Sequence, residues 1–408
     1  MYSSELIQDI KLNNKYDFQI LSAPNNGHVY LDSAATSLTP KCVTDKIDEY
    51  YNCYNANIHR GIHDWAEQAT EEYEGVRPVV RKFIGANQDK EIVFTSGTTH
   101  GINTIANCFC ADWTIKDTVI LSEAEHHANI VPWQQLKTRQ GLTIEVIPLL
   151  PDGHLDFNQL SAVIQQVKGR CIVSMSVLPN ATGIMLDYRQ VSEMARDYDA
   201  TVLFDGAQSV PRIKSDVSYC DFLVFSGHKI YGPTGVGILY ARDGFLDEMP
   251  PYMGGGDMIK SVRFDRTVYN DMPWRYEAGT TNIAGVIGLG AALDWIKGID
   301  IEKIYQHEKE ISDYTQKQLN RIDRVSVLYP DTEKLGLVVF TVNEAQSIDV
   351  ATLLNTQGIA VRSGYLCAEP VLVNQVGRGV LRASFGVYTT QDDIDRFVDA
   401  LNKVMTIL

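Results

Sequence analysis

The feature that most constrains this chain is a rhythm. Short, β-branched apolar runs, each closed by a turn-forming or reactive residue, alternate with longer stretches of helical periodicity. The runs are EIVFT (91–95), TVILS (118–122), TIEVI (143–147), CIVSMSV (171–177), TVLFD (201–205), DFLVFS (221–226) and VGILYA (236–241). Helical patterns fill 100–110, 128–138, 156–167 and 188–198. A strand that is apolar on both faces must be covered on both, and parallel neighbours need a crossover long enough to hold a helix. The rhythm therefore predicts an α/β fold, a mostly parallel central sheet with helices on both sides. After about residue 285 it changes to helices over 286–297 and 301–322. An apolar strand over 335–342, a helix near 348–357, strands near 359–362 and 380–385, and a last helix over 391–407 follow. This predicts a smaller α+β domain at 286–408, joined by the N-terminal segment 1–27, beside a large domain at 28–285. Residues 1–27 read as an amphipathic helix followed by a turn at Pro24-Asn25-Asn26-Gly27.

Of the 408 residues 45% are hydrophobic and 21% charged, enough for a large core and unlike a disordered chain. The formal charge of −15 disfavours nucleic acid as a partner, because phosphate contacts need clustered Lys and Arg. Seven widely spaced cysteines form neither a disulfide framework nor a C-x-x-C zinc pattern. The polar N-terminus and the lack of a long apolar run predict a cytoplasmic protein with no membrane segment.

Ligands of α/β sheets bind beyond the carboxyl ends of the strands, and the reactive side chains here fall at those ends. TVLFD ends in Asp205, and DFLVFS runs into Ser226-Gly227-His228-Lys229. An acid and a lysine on successive strands meet the needs of pyridoxal 5′-phosphate (PLP), which bonds to a lysine and pairs its ring nitrogen with an acid. EIVFT runs into Ser96-Gly97-Thr98-Thr99 and a helix, where backbone N–H groups and the helix dipole favour a phosphate. TVILS runs into Glu123-Ala124-Glu125-His126-His127, where an aromatic ring could stack or move protons. Arg362 and Cys367 lie in RSGYLCAEP, which Gly364 and Pro370 mark as an exposed loop, and Arg382 lies in VLRASF. Such a cysteine needs a nearby positive charge to become a thiolate, and an arginine grips a carboxylate through two parallel hydrogen bonds. Taken singly, each has an ordinary explanation: a capping aspartate, a surface lysine, an N-cap turn, paired metal-ligating histidines, a structural cysteine, a strand-end ion pair.

As an ordered set these segments resemble the group II, SUF-type cysteine desulfurases, fold-type I PLP enzymes of the class V aminotransferase superfamily. The resemblance runs from YLDSAATS (30–37) through NANIHRGIH (55–63), FTSGTTHGIN (94–103), EHHANIVPW (125–133), FDGAQSV (204–210), FSGHKIYGPTGVGILY (225–240), GGGDMI (254–259) and WRYEAGTTN (274–282) to RASFGVYTT (382–390). It implies Lys229 as the Schiff-base lysine, Asp205 as partner of the ring nitrogen, Gln208 as partner of the ring hydroxyl and His126 as the stacking histidine. Thr98, Thr99, Ser226 and His228 would hold the phosphate, joined by Thr280 from a second subunit, which implies a homodimer. Asn180, Arg382 and Arg362 would bind the substrate, with His59 and Arg60 at the subunit edge of the site. Cys367 would be the nucleophile. The implied reaction takes sulfur from L-cysteine, leaves L-alanine, and holds the sulfur as a persulfide on Cys367 for a SufE-like or SufU-like acceptor protein. Two alternatives stand beside it: a PLP-dependent lyase acting on selenocysteine or cysteine sulfinate, and a catalytically silent PLP-fold scaffold. The chain departs from the family pattern twice. Tyr365 and Leu366 stand where one or two histidines often precede the nucleophile, and Thr281 stands where a proline often follows the first threonine of EAGTTN.

Overall fold

The computed structural model describes residues 17–22 and 27–408. Most of the predicted N-terminal helix and turn lies outside the described residues, and of that segment a single 3-10 turn, Gln19–Leu21, is described. After a two-residue strand β1 (Val29–Tyr30), seven strands build the main sheet. They are β2 (Ile92–Thr95), β3 (Thr118–Ser122), β4 (Thr143–Ile147), β5 (Cys171–Ser176), β6 (Thr201–Asp205), β7 (Phe222–Ser226) and β8 (Gly237–Ala241), in the order β2-β8-β7-β6-β5-β3-β4. β8 runs antiparallel to both its neighbours and the other pairs are parallel. The interior strands β3, β5, β7 and β8 are buried at every residue, which their β-branched and aromatic side chains favour. β4 sits at the edge with Glu145 exposed, a charge that discourages further strand pairing.

Helix Ile283–Ile299 straddles residue 285 and packs on helices Lys41–Cys53 and Asp64–Ile84 within the core of the large sheet. Its glycines permit the approach. A Cβ at Gly290 would stand 2.7 Å from Val76 Cγ2, and one at Gly288 would stand 2.9 Å from Ile47 Cδ1. Beyond an exposed hairpin, β9 (Ile259–Val262) and β10 (Thr267–Tyr269), the chain forms a second, antiparallel sheet. Its strands β11 (Val325–Val327), β12 (Leu337–Val342), β14 (Arg362–Gly364) and β15 (Val380–Ser384) lie in the order β11-β12-β15-β14. Strand β13 (Ile359–Ala360) pairs instead with β1, Val29 opposite Ile359, so Val29 and Leu31 bury in the core of the smaller sheet. Among the described residues no helix is long and apolar enough to cross a membrane.

Candidate active site

The main sheet presents Thr95, Ser122, Ser176, Asp205 and Ser226 at the end of their strands, and each strand runs there into a turn shaped by small residues. After β2 the chain turns through Gly97, whose φ of 143° favours glycine, into helix Thr98–Cys108. Gly237 of β8 lies so close that a Cβ there would stand 2.5 Å from Gly97 Cα. Ser226 Oγ accepts the Thr98 N–H at 2.9 Å and lies 2.9 Å from Thr98 Oγ1, tying this helix start to the end of β7. The first N–H groups of a helix have no intrahelical partner, so the turn is a ready anion cradle, with Thr99 and His228 beside it.

Ser176, Asp205 and Ser226 and the turns after the strands form one side of a cavity of about 500 Å³, and Arg362 and Arg382 of the smaller sheet, with Cys367 of the turn after β14, line the other. Twelve of the residues singled out from the sequence meet there: Thr98, Thr99, His126, Asn180, Asp205, Gln208, Ser226, His228, Lys229, Arg362, Cys367 and Arg382. Burial pushes the Lys229 ammonium down to about 8, with Asp205 opposing the shift. Burial pushes the Asp205 carboxyl up, opposed by the Ala207 N–H at 2.8 Å and by the charge of Lys229. An amine and an acid each destabilised as ions are poised for a ligand that takes up the amine covalently and offers the acid a cation.

His126 lies on an N-cap rather than on a helix, and its Nδ1 accepts the Ala128 N–H at 3.0 Å. Burial, with Lys229, His127 and Arg382 nearby, lowers its pKa to about 3. The ring is thus neutral with its proton on Nε2, suited to lie against a flat cationic heterocycle. Glu125, wholly buried beside it, accepts from Ser122 Oγ at 2.6 Å, Asn129 Nδ2 at 2.8 Å and the Ser176 N–H at 3.0 Å. Gln208 donates to Ala34 O at 2.6 Å.

The segment from β14 to the start of helix Glu369–Gln375 is held at four points. Asn180 Nδ2 donates to Leu366 O at 2.7 Å, the His127 N–H donates to Cys367 O at 2.8 Å, and His127 Nε2 accepts the Glu369 N–H at 3.1 Å. Leu366 itself buries among Ala34, Leu337, Val339 and Leu372. Leu366 and Cys367 both adopt left-handed backbone, φ 54° and 56°, which costs an L-residue roughly 1–2 kcal/mol each. That conformation leaves the Cys367 side chain exposed at the cavity that Lys229 and Arg362 also line. One expectation is corrected: Pro370 does not extend the loop but lies in the first turn of helix Glu369–Gln375, where a missing N–H costs nothing.

Arg362 and Arg382 face each other across β14 and β15. Asp32 stands between them. It accepts from Arg362 Nε at 3.0 Å and Nη2 at 2.6 Å, and from Arg382 Nη2 at 3.5 Å. Arg382 also donates to Asn180 O at 3.2 Å. Among the described residues its Nε and the Asn180 Oδ1 are buried with no hydrogen-bond partner. An unused donor and acceptor of this kind on an open cavity are what a bound amino-acid carboxylate and amine would satisfy.

His59, Arg60 and Thr280 do not line this cavity. His59 Nε2 lies 2.9 Å from Glu74 Oε1, and Arg60 Nε 3.7 Å from Asp257 Oδ1. Thr280 is exposed beside Thr281, whose hydroxyl donates to Tyr73 Oη at 2.9 Å. That bond gives the turn, by a side chain, the anchoring a proline ring would supply through its backbone. Sequence reasoning passed over Asp32, Glu125 and the loop contacts of His127. Asp32 and Glu125 each sit in a quoted segment, but nothing local marks a carboxylate whose partners are remote in sequence.

PLP fits these residues: the poised amine and acid, the hydroxyl-lined helix start, the neutral ring and the unsatisfied carboxylate grip correspond to its aldehyde, ring nitrogen, phosphate, ring face and amino-acid substrate. The class so defined is the fold-type I PLP-dependent enzymes. The chain belongs to the aminotransferase class-V family, whose pattern matches residues 29–397. It is 40% identical over 398 residues to a cysteine desulfurase of Serratia proteamaculans, covering 96% of this chain and 97% of that one. It is 42% identical over 399 residues to a cysteine desulfurase of Salmonella gallinarum, covering 96% and 97%. Among solved structures, an apo cysteine desulfurase from Thermococcus onnurineus superposes with a TM-score of 0.92 at 35% identity over 100% of both chains. A cysteine desulfurase from Escherichia coli in an S-sulfonic acid form gives 0.89 at 35% identity, covering 97% of this chain and 98% of that one.

Proposed function

We propose that the chain is a cysteine desulfurase, which removes sulfur from L-cysteine and leaves L-alanine with a persulfide on Cys367. The observation that carries this reading is the convergence on one cavity of Lys229, the exposed Cys367 thiol and the buried Arg382 with a spare donor. Lys229 and Asp205 would hold PLP, with Thr98, Thr99, Ser226 and His228 at its phosphate, and the cofactor would supply an electron sink for charge left at the substrate α-carbon. Arg382, Arg362 and Asn180 orient the substrate carboxylate. Lys229, whose amine burial brings down to about 8, would take up and return the α-proton of the substrate. Cys367 attacks the substrate sulfur as a thiolate. A new S–S bond forms, the C–S bond breaks with its electron pair moving to carbon, and protons from the site complete alanine. Atoms balance as L-cysteine plus Cys367 thiol going to L-alanine plus Cys367 persulfide. Splitting the transfer at a covalent intermediate divides one hard step into two easier ones.

His59, Arg60 and Thr280 serve the site of a second copy of the chain in this reading, since all three stand outside the cavity of their own. The acceptor of the persulfide is a small SufE-like or SufU-like protein that reaches the exposed Cys367. The test is incubation of the PLP-loaded protein with L-cysteine and dithiothreitol, beside Cys367→Ser. Equal alanine and sulfide from the wild type, lost in the variant, support the reading. Sulfide with pyruvate, or activity that survives the substitution, makes the enzyme a PLP-dependent lyase instead.

A further inference from the structure

Behind the cavity wall lies a buried ion pair that the reaction above does not use. Arg212, 2% exposed, sits on the turn after β6, and Glu308, 1% exposed, projects from helix Ile301–Leu319 on the side of the smaller sheet. Arg212 Nε donates to Glu308 Oε2 at 2.7 Å. Arg212 Nη1 donates twice to one residue, to the Gln208 backbone O at 2.7 Å and to Gln208 Oε1 at 3.0 Å. Tyr231 Oη donates to Glu308 Oε1 at 3.3 Å, so both carboxylate oxygens are held. The guanidinium lies against the Gly336 backbone, where a Cβ would stand 2.0 Å from Arg212 Nε. Only glycine leaves room for it there, and φ of 72° makes the same demand.

A guanidinium has five donors and no acceptor. The carboxamide atom of Gln208 that meets Arg212 must therefore be its oxygen, which settles the orientation of an amide that is otherwise ambiguous. The nitrogen then faces the other way. One of its hydrogens goes to Ala34 O at 2.6 Å, and Ala34 and Gln208 both line the cavity. The second hydrogen is left as the only polar group that this side chain can offer a ligand.

We propose that Arg212 and Glu308 are positioning residues that lock the Gln208 carboxamide with its N–H face toward the cavity, so that Gln208 serves as a fixed donor to an anionic oxygen of the cofactor ring. The inference rests on the reading of Gln208 as the partner of the ring hydroxyl. Without the pair, the Ala34 carbonyl alone orients the amide, and any turn that presented the amide carbonyl would repel that oxygen.

The experiment is a pH titration of the visible absorption band of the PLP-loaded protein, for wild type, Gln208→Ala, Arg212→Lys and the double variant Arg212→Met/Glu308→Gln. The double variant removes both charges, so neither is left buried and unpaired. A donor to the ring oxygen favours its ionised form, so losing that donor raises the midpoint of the titration. Gln208→Ala and the double variant are expected to raise it together by about one pH unit, the scale of one hydrogen bond to a charged group. Arg212→Lys, which keeps the charge but not the fork, is expected to raise it by less. If Gln208→Ala moves the midpoint and the folded Arg212 variants do not, the pair is merely structural and the proposal fails. If Gln208→Ala leaves the midpoint unmoved, the reading of Gln208 itself falls and takes the proposal with it.

Discussion

Replacing Arg382 by alanine tests how the site holds its substrate, and the size of the effect follows from the geometry. Arg382 is 2% exposed and already donates to Asn180 O at 3.2 Å and to Asp32 Oδ1 at 3.5 Å, while its Nε has no partner. A substrate carboxylate gripped by the fork gains two charge-assisted hydrogen bonds, each worth roughly 1.5–3 kcal/mol. Taking the lower figure for both gives about 3 kcal/mol, or about a hundredfold in kcat/KM. Stability should suffer less than function, because Asp32 keeps its two-point contact with Arg362 and is not left as an unpaired charge. A lysine at this position keeps a point charge without the fork and should lose about tenfold. Burial, with Arg362 across the strand, lowers the Arg382 pKa to about 10, so the wild-type grip stays charged through neutral pH. The assay is alanine formation across L-cysteine concentrations, with cofactor content read from the visible band. A loss below about fivefold at full PLP occupancy would refute the carboxylate grip.

Two further outcomes follow from the titrating groups. With the Lys229 amine at about 8, PLP uptake by the cofactor-free protein should quicken as pH rises through that value, because the neutral amine is the nucleophile; stopped-flow absorbance measures it, and a flat profile from about pH 7 to 9 would contradict it. Burial raises the Glu125 carboxyl from 4.5 to about 7, so its contribution to stability is full below the lower value and lost as pH climbs through the upper one. Glu125→Gln, neutral throughout, should gain on the wild type in thermal midpoint between about pH 4.5 and 7, and a constant difference across that window would contradict the assignment.

The large sheet was legible because its strands are buried on both faces and so carry unbroken β-branched runs. TVILS, TIEVI and TVLFD match β3, β4 and β6 residue for residue. Helices Lys41–Cys53 and Asp64–Ile84 went unread, being mostly polar with narrow buried stripes, and the second carries Pro78 inside it. The hairpin β9–β10 is exposed along nearly its whole length, so no alternation of apolar and polar residues marks it. Asp205 and Lys229 could be paired on paper because Asp205 closes one strand and Lys229 follows within three residues of the end of the next. Asp32 could not be joined to Arg362 and Arg382, since 330 and 350 residues separate them and the contact exists only once the segment after β1 docks beside β15 of the smaller sheet. The helix start at Glu369 was hidden by Pro370, which reads as a loop marker until the first turn of the helix is seen to tolerate it.

The most direct test of the central claim is the mass of the peptide carrying Cys367 after one turnover with L-cysteine in the absence of a reductant. This peptide should become heavier by one sulfur atom, in step with the alanine released, and dithiothreitol should remove the added mass. Alanine formed with the extra sulfur on another cysteine, or with Cys367 unmodified throughout, would contradict that claim.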